Sequence, residues 1–151
     1  MSWNLLIKLK FKKKNTLCEC NYGPVINFIE YNQKHYIKIG KVKLNGVTLT
    51  CKHPDNIIQL KNDEIFVIDS ILNIQKNYVT QENINNLYIY GTVEKKRKEV
   101  FDFPTASADV GLIEIITWEE QKVLFKMTSV KRKCILLNMN DSKFVITLLH
   151  V

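Results

Sequence analysis

The sequence predicts an all-β protein, mainly antiparallel, folded as a single small barrel-like domain with at most one or two short helical turns. Its apolar residues fall in runs of strand length separated by turn signals, and no stretch sustains the period of an amphipathic helix. Between Val42 and Ile71, four such runs are broken by Asn45-Gly46, by residues 53–56 and by residues 61–64. The length of 151 residues predicts one domain over 1–151, since a chain of this size buries roughly 70% of its unfolded surface around one core.

The N-terminal third predicts strands and one segment whose type stays open. Residues 5–11 alternate between apolar and lysine-rich positions, as in a half-buried strand. Residues 25–31 fit either a strand or one short helix. Residues 36–42 predict a strand that ends or bulges at Gly40, and Asn45-Gly46 is the strongest short hairpin signal in the chain.

The middle of the chain predicts a hairpin, a polar loop and an edge segment. Residues 57–60 and 65–72 are two β-rich runs joined by an acidic turn, and residues 73–86 form a long polar loop. Residues 87–93 predict a strand with aromatic side chains on one face, and a charged insert at 94–99 follows it. Because Pro104 removes a ladder donor, the segment around it is expected to leave the sheet at its edge.

The C-terminal third predicts two pairs of strands. Residues 111–118 are expected to pair with residues 123–127 across the turn at 119–122. Two further apolar runs, at 134–137 and 144–149, flank a polar loop, which is the pattern of a hairpin. No linker or internal repeat interrupts the sequence, so no domain boundary is predicted.

The order of these segments over roughly residues 40–150 resembles a bromo-adjacent-homology (BAH) layout. The resemblance is carried by the runs at 55–60, 65–68, 87–90 and 101–107, and by a closing strand pattern at Val130, Lys133, Cys134 and Leu137. It implies a twisted small barrel that binds chromatin, nucleic acid or protein and catalyses no reaction. The aromatic cage of methyl-lysine-reading members is not carried over to any residue of this chain.

A second likeness concerns three short segments of the same region. Residues 53–56, 103–107 and 148–150 are similar to a β-rich domain of unknown activity in insect proteins that are associated with, or derived from, transposons. This likeness implies association with nucleic acid, and, like the BAH resemblance, it implies no reaction.

Positive charge is concentrated in three short runs. Together they hold ten cations against a net charge of +7, so the rest of the chain carries about −3 and the basicity is local. Such runs predict contacts with a phosphate backbone when they occupy loops at one barrel end, with Tyr88, Tyr90, Phe101 or Trp118 as stacking faces. The candidate nucleic-acid contacts are Lys12, Lys13, Lys14, Lys95, Lys96, Arg97, Lys98, Lys131, Arg132 and Lys133.

Two sequence features resemble functional sites, but their residues are better explained by structural roles. Zinc accepts the ligand types found at Cys18, Cys20, Cys51 and His53. However, two cysteines separated by one residue on a flat strand provide poorly the bite angle that a zinc ion needs. The sequence therefore predicts reduced cysteines in the core and no metal. The three histidines lie in no nucleophile motif and the five glycines are scattered, so we expect neither catalysis nor a cofactor.

The expected setting is intracellular, and nuclear if the partner is chromatin. The first residues lack a signal-peptide cleavage site, and no apolar run approaches the ~20 residues that span a bilayer. The alternative function is a protein-interaction domain with an exposed sheet edge or apolar groove, for which Ile115-Ile116 and the Tyr88 and Tyr90 pair are the candidate surfaces.

Overall fold

The structure is a computed structural model that describes residues 20–22, 25–31, 33–44, 46–74 and 84–148. These residues confirm the predicted all-β class, and their only helical elements are three 3₁₀ turns, at Ile84–Asn86, Ser107–Val110 and Met127–Ser129. That is one turn more than the sequence predicts. The strands are β1 (Cys20–Tyr22), β2 (Val25–Tyr31), β3 (Lys34–Ile39), β4 (Lys41–Leu44), β5 (Val47–Thr50), β6 (Ile57–Leu60), β7 (Ile65–Ile74), β8 (Leu87–Glu99), β9 (Leu112–Trp118), β10 (Val123–Lys126), β11 (Val130–Met139) and β12 (Ser142–Thr147).

Six of the strands pair into a ring, which makes the sheet barrel-like. The order around it is β7, β8, β9, β12, β11 and β6, with β6 returning to β7, and every pairing is antiparallel. A closed ring leaves none of its six strands as a bare edge, so their backbone donors and acceptors are satisfied within the protein. The barrel interior holds Ile57, Ile65, Ile113, Ile115, Cys134 and Val145.

The strands β7 and β8 extend beyond the ring and build a second sheet beside it. They run for ten and thirteen residues. The C-terminal half of β7 pairs with β3, which pairs with β2, and the N-terminal half of β8 pairs with β10. A separate sheet of β1, β4 and β5 adds Val42, Leu44 and Leu49 to the second and larger core, which also contains Phe66, Ile68, Ile71, Leu87 and Ile89.

One glycine permits an unusually close approach between the two long strands. The register of β7 against β8 shifts between Ile68 and Ser70, and Gly91 of β8 lies opposite Ile68. A Cβ atom at Gly91 would lie 1.9 Å from the carbonyl oxygen of Val67. Only a residue without a side chain fits there, because the obstructing atom belongs to the backbone.

Several local predictions agree with the structure. The hairpin at Asn45-Gly46 is confirmed, since Leu44 of β4 pairs with Val47 of β5 and Gly46 has a left-handed φ of 77°. Residues 25–31, which fitted a strand or a helix, form strand β2. The C-terminal hairpin is also confirmed, with a tighter turn at Asn140 and Asp141, both of which have positive φ.

Two predictions are wrong. The charged residues 94–99 form no loop, because β8 continues through them and pairs with β9. Two register irregularities break the alternation that sequence patterns depend on, which hides this part of the strand. Residues 123–127 do not pair with 111–118 either: β9 and β10 both pair with β8, and the Glu119 amide donates to the Val93 carbonyl between them. The strand predicted at residues 5–11 lies outside the described residues.

Candidate functional site

A polar cavity of about 280 Å³ lies at one mouth of the barrel. Four of the ring strands, β6, β8, β11 and β12, contribute polar or charged side chains to its wall, and the 3₁₀ turn after β8 covers part of it. Its lining comprises Gln59, Asp63, Arg97, Ala108, Asp109, Gly111, Ile113, Lys131, Arg132 and Thr147.

Strand register explains why two arginines reach this mouth. Arg97 of β8 is opposite Ile115 of β9, and Arg132 of β11 is opposite Gln59 of β6. Directly opposed residues point to the same face of a sheet, and Ile115 belongs to the barrel core. Arg97 therefore points toward the barrel interior, although it belongs to a run that the sequence assigns to a solvated loop.

Part of the positive charge at the mouth is neutralised by acidic residues of the same protein. Arg97 forms a salt bridge with Glu94 and donates from Nη2 to the Asp63 carbonyl at 2.7 Å. Lys131 Nζ lies 2.7 Å from Asp63 Oδ1, and this contact lowers the pKa of the Asp63 carboxyl below its usual 3.8. Burial raises the pKa of Glu94 above its usual 4.5, although Arg97 opposes that shift.

Four cations of the two described runs remain available. Within the described part of the chain, none of them forms a salt bridge or a side-chain hydrogen bond: Lys95, Lys96, Lys98 and Arg132. The three lysines are exposed on β8, and Arg132 is half-buried in the cavity lining. These side chains carry the positive charge of the two runs that no salt bridge neutralises.

Lys133 is held on the protein itself rather than exposed at the mouth. Its side chain is 16% exposed, forms a salt bridge with Asp55, and donates from Nζ to the carbonyl of Thr48 at 3.0 Å. Lys133 thereby ties β11 to β5 and to the turn before β6. The prediction that the basic runs form loops is wrong for residues 95–98 and 131–133, because these runs lie in strands β8 and β11. The third run, Lys12, Lys13 and Lys14, lies outside the described residues.

We expect Lys133→Met to lower the free energy of unfolding by about 1–2 kcal/mol, because it removes a charged hydrogen bond from a mostly buried position. Lys131→Met is the matched control: its partner Asp63 is exposed, so its loss should cost no more than about 1 kcal/mol. Urea denaturation of both variants at neutral pH measures the difference. Equal losses would show that Lys133 is an ordinary surface lysine.

The segment after β8 exposes apolar side chains and continues into the 3₁₀ turn that lines part of the cavity. Phe103 is 85% exposed, and Val100, Phe101 and Val110 are exposed as well. The segment itself is well tethered, because the buried hydroxyl of Ser107 accepts from the Val100 amide and donates to Glu99 Oε2, each at 2.8 Å. The prediction that the chain leaves the sheet around Pro104 is confirmed.

The predicted aromatic and apolar surfaces are only partly accessible. Tyr88 packs edge-on against Tyr36 with ring centroids 5.8 Å apart, and Trp118 packs on the barrel core. Ile115 is buried, so Ile115-Ile116 forms no continuous apolar surface. Phe101 remains exposed, whereas the most exposed aromatic, Phe103, was missed; its position before a proline in a non-strand segment is the signal that could have found it.

The cysteine and histidine positions are described only in part. Cys18 lies outside the described residues, Cys51 is a free, half-buried thiol, and His53 is exposed before Pro54. Burial raises the pKa of the Cys134 thiol to about 12, which keeps it protonated and unreactive. Among the residues that the structure describes, no three His, Cys, Asp or Glu side chains gather in a metal-binding arrangement. The absence of a metal stays a prediction.

No helix in the described parts of the chain has the length and apolar character to cross a bilayer.

Among known proteins, one family model matches this chain. No curated protein and no solved structure matches it. The resemblance to BAH domains and to transposon-associated proteins therefore stays a prediction. A family model described as a domain of unknown function, DUF8592, matches residues 19–149. Because the match covers most of the chain, this protein belongs to the DUF8592 family.

Proposed function

We propose that this protein is a non-catalytic binding module that contacts nucleic acid at the basic mouth of its barrel. The observation that carries the proposal is the convergence of two basic runs, distant in sequence, on one cavity: Arg97 comes from the first run, and Lys131 and Arg132 come from the second. Chromatin is the nucleic-acid setting that the BAH resemblance favours, and it forms part of the proposal.

The roles of the basic residues differ within this surface. Lys95, Lys96, Lys98 and Arg132 supply the available charge, while Arg97 is held by Glu94 and by the Asp63 carbonyl. Phosphate contacts from available lysines release counterions, which makes binding strongly salt-dependent and largely independent of sequence. This chemistry needs no metal, cofactor or nucleophile.

The second candidate function is protein interaction, and the exposed apolar residues after β8 favour it. Val100, Phe103 and Val110 are each more than two-fifths exposed within one short stretch of chain. Exposed apolar side chains that cluster in this way commonly mark a contact with another protein. The same experiment separates the two candidates.

The test is the triple substitution Lys95→Ser, Lys96→Ser and Lys98→Ser, assayed by fluorescence anisotropy with labelled oligonucleotides over a range of salt concentrations. The slope of log affinity against log salt should fall by about 2 to 3, since each lost contact contributes about 0.7 to 0.9. Unrelated sequences should be weakened equally. Stability should change by no more than about 0.5 kcal/mol per site, because these side chains are exposed.

The matched control removes the same charge elsewhere. Lys34, Lys41 and Lys43 are exposed on β3 and β4 and belong to neither basic run, so their replacement by serine should leave the slope nearly unchanged. If the wild-type protein shows no salt-dependent binding to DNA or RNA at low ionic strength, the proposal fails and protein interaction takes its place.

A further inference from the structure

The aromatic segment, residues 100–106, presents a ring to solvent and leads into the 3₁₀ turn that lines part of the basic mouth. Phe103 is 85% exposed and Phe101 is 40% exposed. Neither ring forms an aromatic pair with another described residue. An exposed aromatic face of this kind offers a flat apolar surface for a planar group, at little cost in side-chain entropy.

Polar contacts tether both ends of the aromatic segment. Glu99 accepts from the Ser107 hydroxyl and from the Ala108 amide, each at 2.8 Å, and the Ser107 amide donates to the Phe101 carbonyl at 2.7 Å. The Ala108 amide is the main reason that the pKa of Glu99 lies below its usual 4.5, so the carboxylate is charged at neutral pH. A ring displayed on a tethered segment loses less entropy on binding than a ring on a free loop.

The same tether joins the aromatic segment to the cavity. Ala108 and Asp109 line the cavity together with Arg97, Lys131 and Arg132. The lining holds three cations against the two carboxylates of Asp63 and Asp109, and the segment that displays the exposed ring leads into it. That combination suits a ligand that carries both negative charge and planar rings.

We propose that this site takes single-stranded nucleic acid, with one base stacked on Phe103 and a neighbouring phosphate contacted by Arg132. The inference rests on the proposed function and narrows its ligand. In a duplex the faces of the bases are covered by their neighbours, whereas unpaired bases stack freely on aromatic side chains. The excess of cations in the cavity lining favours a polyanion over an apolar protein partner.

The test compares Phe103→Ala with wild type on three labelled ligands of twelve nucleotides: a single strand, the duplex of the same sequence, and an abasic strand with the same phosphates. Loss of one stacked base should weaken binding of the single strand about 5- to 150-fold. Binding of the abasic strand and of the duplex should not change. Phe103→Tyr should retain the affinity, because it keeps an aromatic face.

Val110→Ala is the matched control, since it truncates another exposed apolar residue of the same stretch and removes no ring. Both variants should keep the wild-type unfolding midpoint. If Phe103→Ala binds the single strand as tightly as wild type does, or if wild type prefers the duplex, the inference is overturned even when salt-dependent binding persists, and the exposed ring then favours a protein contact. Absence of any salt-dependent binding would instead overturn the proposed function.

Discussion

Replacing Gly91 with alanine is expected to lower the free energy of unfolding by about 3 kcal/mol, at the upper end of the cost of forcing an extra group into a packed interior. The new Cβ atom would lie 1.9 Å from the Val67 carbonyl oxygen and 3.0 Å from the Asp69 amide nitrogen. Neither atom is the end of a flexible side chain, so relief requires the ladder between β7 and β8 to move. Urea denaturation, followed by circular dichroism, measures the loss.

Gly46→Ala separates this steric effect from the general cost of losing a glycine. Gly46 has a left-handed φ of 77°, but no atom lies within 4 Å of the position its Cβ would take. Its replacement should cost about 1–2 kcal/mol, the penalty for an ordinary residue in the left-handed region. A loss at Gly91 no larger than the loss at Gly46 would contradict the close approach of the two strands.

Replacing Arg97 with methionine is expected to destabilise the protein by about 2 kcal/mol at neutral pH. The substitution leaves the carboxylate of Glu94, which is 8% exposed, without its cationic partner. Breaking a fully buried pair costs about 3–5 kcal/mol, and the lower figure reflects the 32% exposure of Arg97. The double variant Glu94→Gln with Arg97→Met removes the unpaired charge and should recover part of the loss.

The pH dependence of this loss follows from the direction of the Glu94 pKa. Burial raises that pKa above 4.5 in the folded state, and Arg97 lowers it, so the substitution raises it further. A carboxyl with a raised folded pKa binds its proton more tightly when folded, so its contribution to stability declines as pH rises from 4.5 through the folded pKa. The loss caused by Arg97→Met should therefore be smaller at about pH 5 than at neutral pH.

Denaturation at the two pH values measures this difference directly. Asp63 and Glu99 have lowered pKa values and stabilise the fold above their usual values of 3.8 and 4.5, which is the opposite dependence. Their effect is largely common to the wild type and the variant, so it nearly cancels in the comparison. An equal loss at both pH values would show that Glu94 does not respond to Arg97 through its charge.

The sequence is informative about strands and turns but not about which strands meet. Asn45-Gly46 determines a hairpin locally, because only a few residue pairs adopt its backbone angles. Ring closure depends on contacts such as β6 with β11, whose members are far apart in the chain. Short apolar runs have no local property that selects such a partner, which is why β10 was paired with the wrong strand.

The candidate site was predictable as a set of charges and not as a geometry. Within one run, Lys131 and Arg132 line the cavity across a register irregularity, whereas Lys133, the next residue of the strand, is held by Asp55 and Thr48. The acids that neutralise Arg97 and Lys131 lie in other segments, so a count of cations overstates the available charge. Phe103 was missed although it precedes Pro104 in the segment expected to leave the sheet, because a sequence pattern does not show which side chains of a non-strand segment are exposed.

The interrupted edge of β8 has a consequence for how this fold tolerates change in length. On one side β8 pairs with β7 along an almost continuous ladder that carries both cores. On the other side, β9 and β10 follow each other along the same strand with residues 119–122 between them, all of them exposed. An insertion between Glu120 and Gln121 would lengthen only a solvent-facing connection, whereas an insertion in β7 or β8 would shift the register of both cores at once. Relatives that differ in length should therefore differ at this gap, which makes it the natural place to add a tag or a second domain.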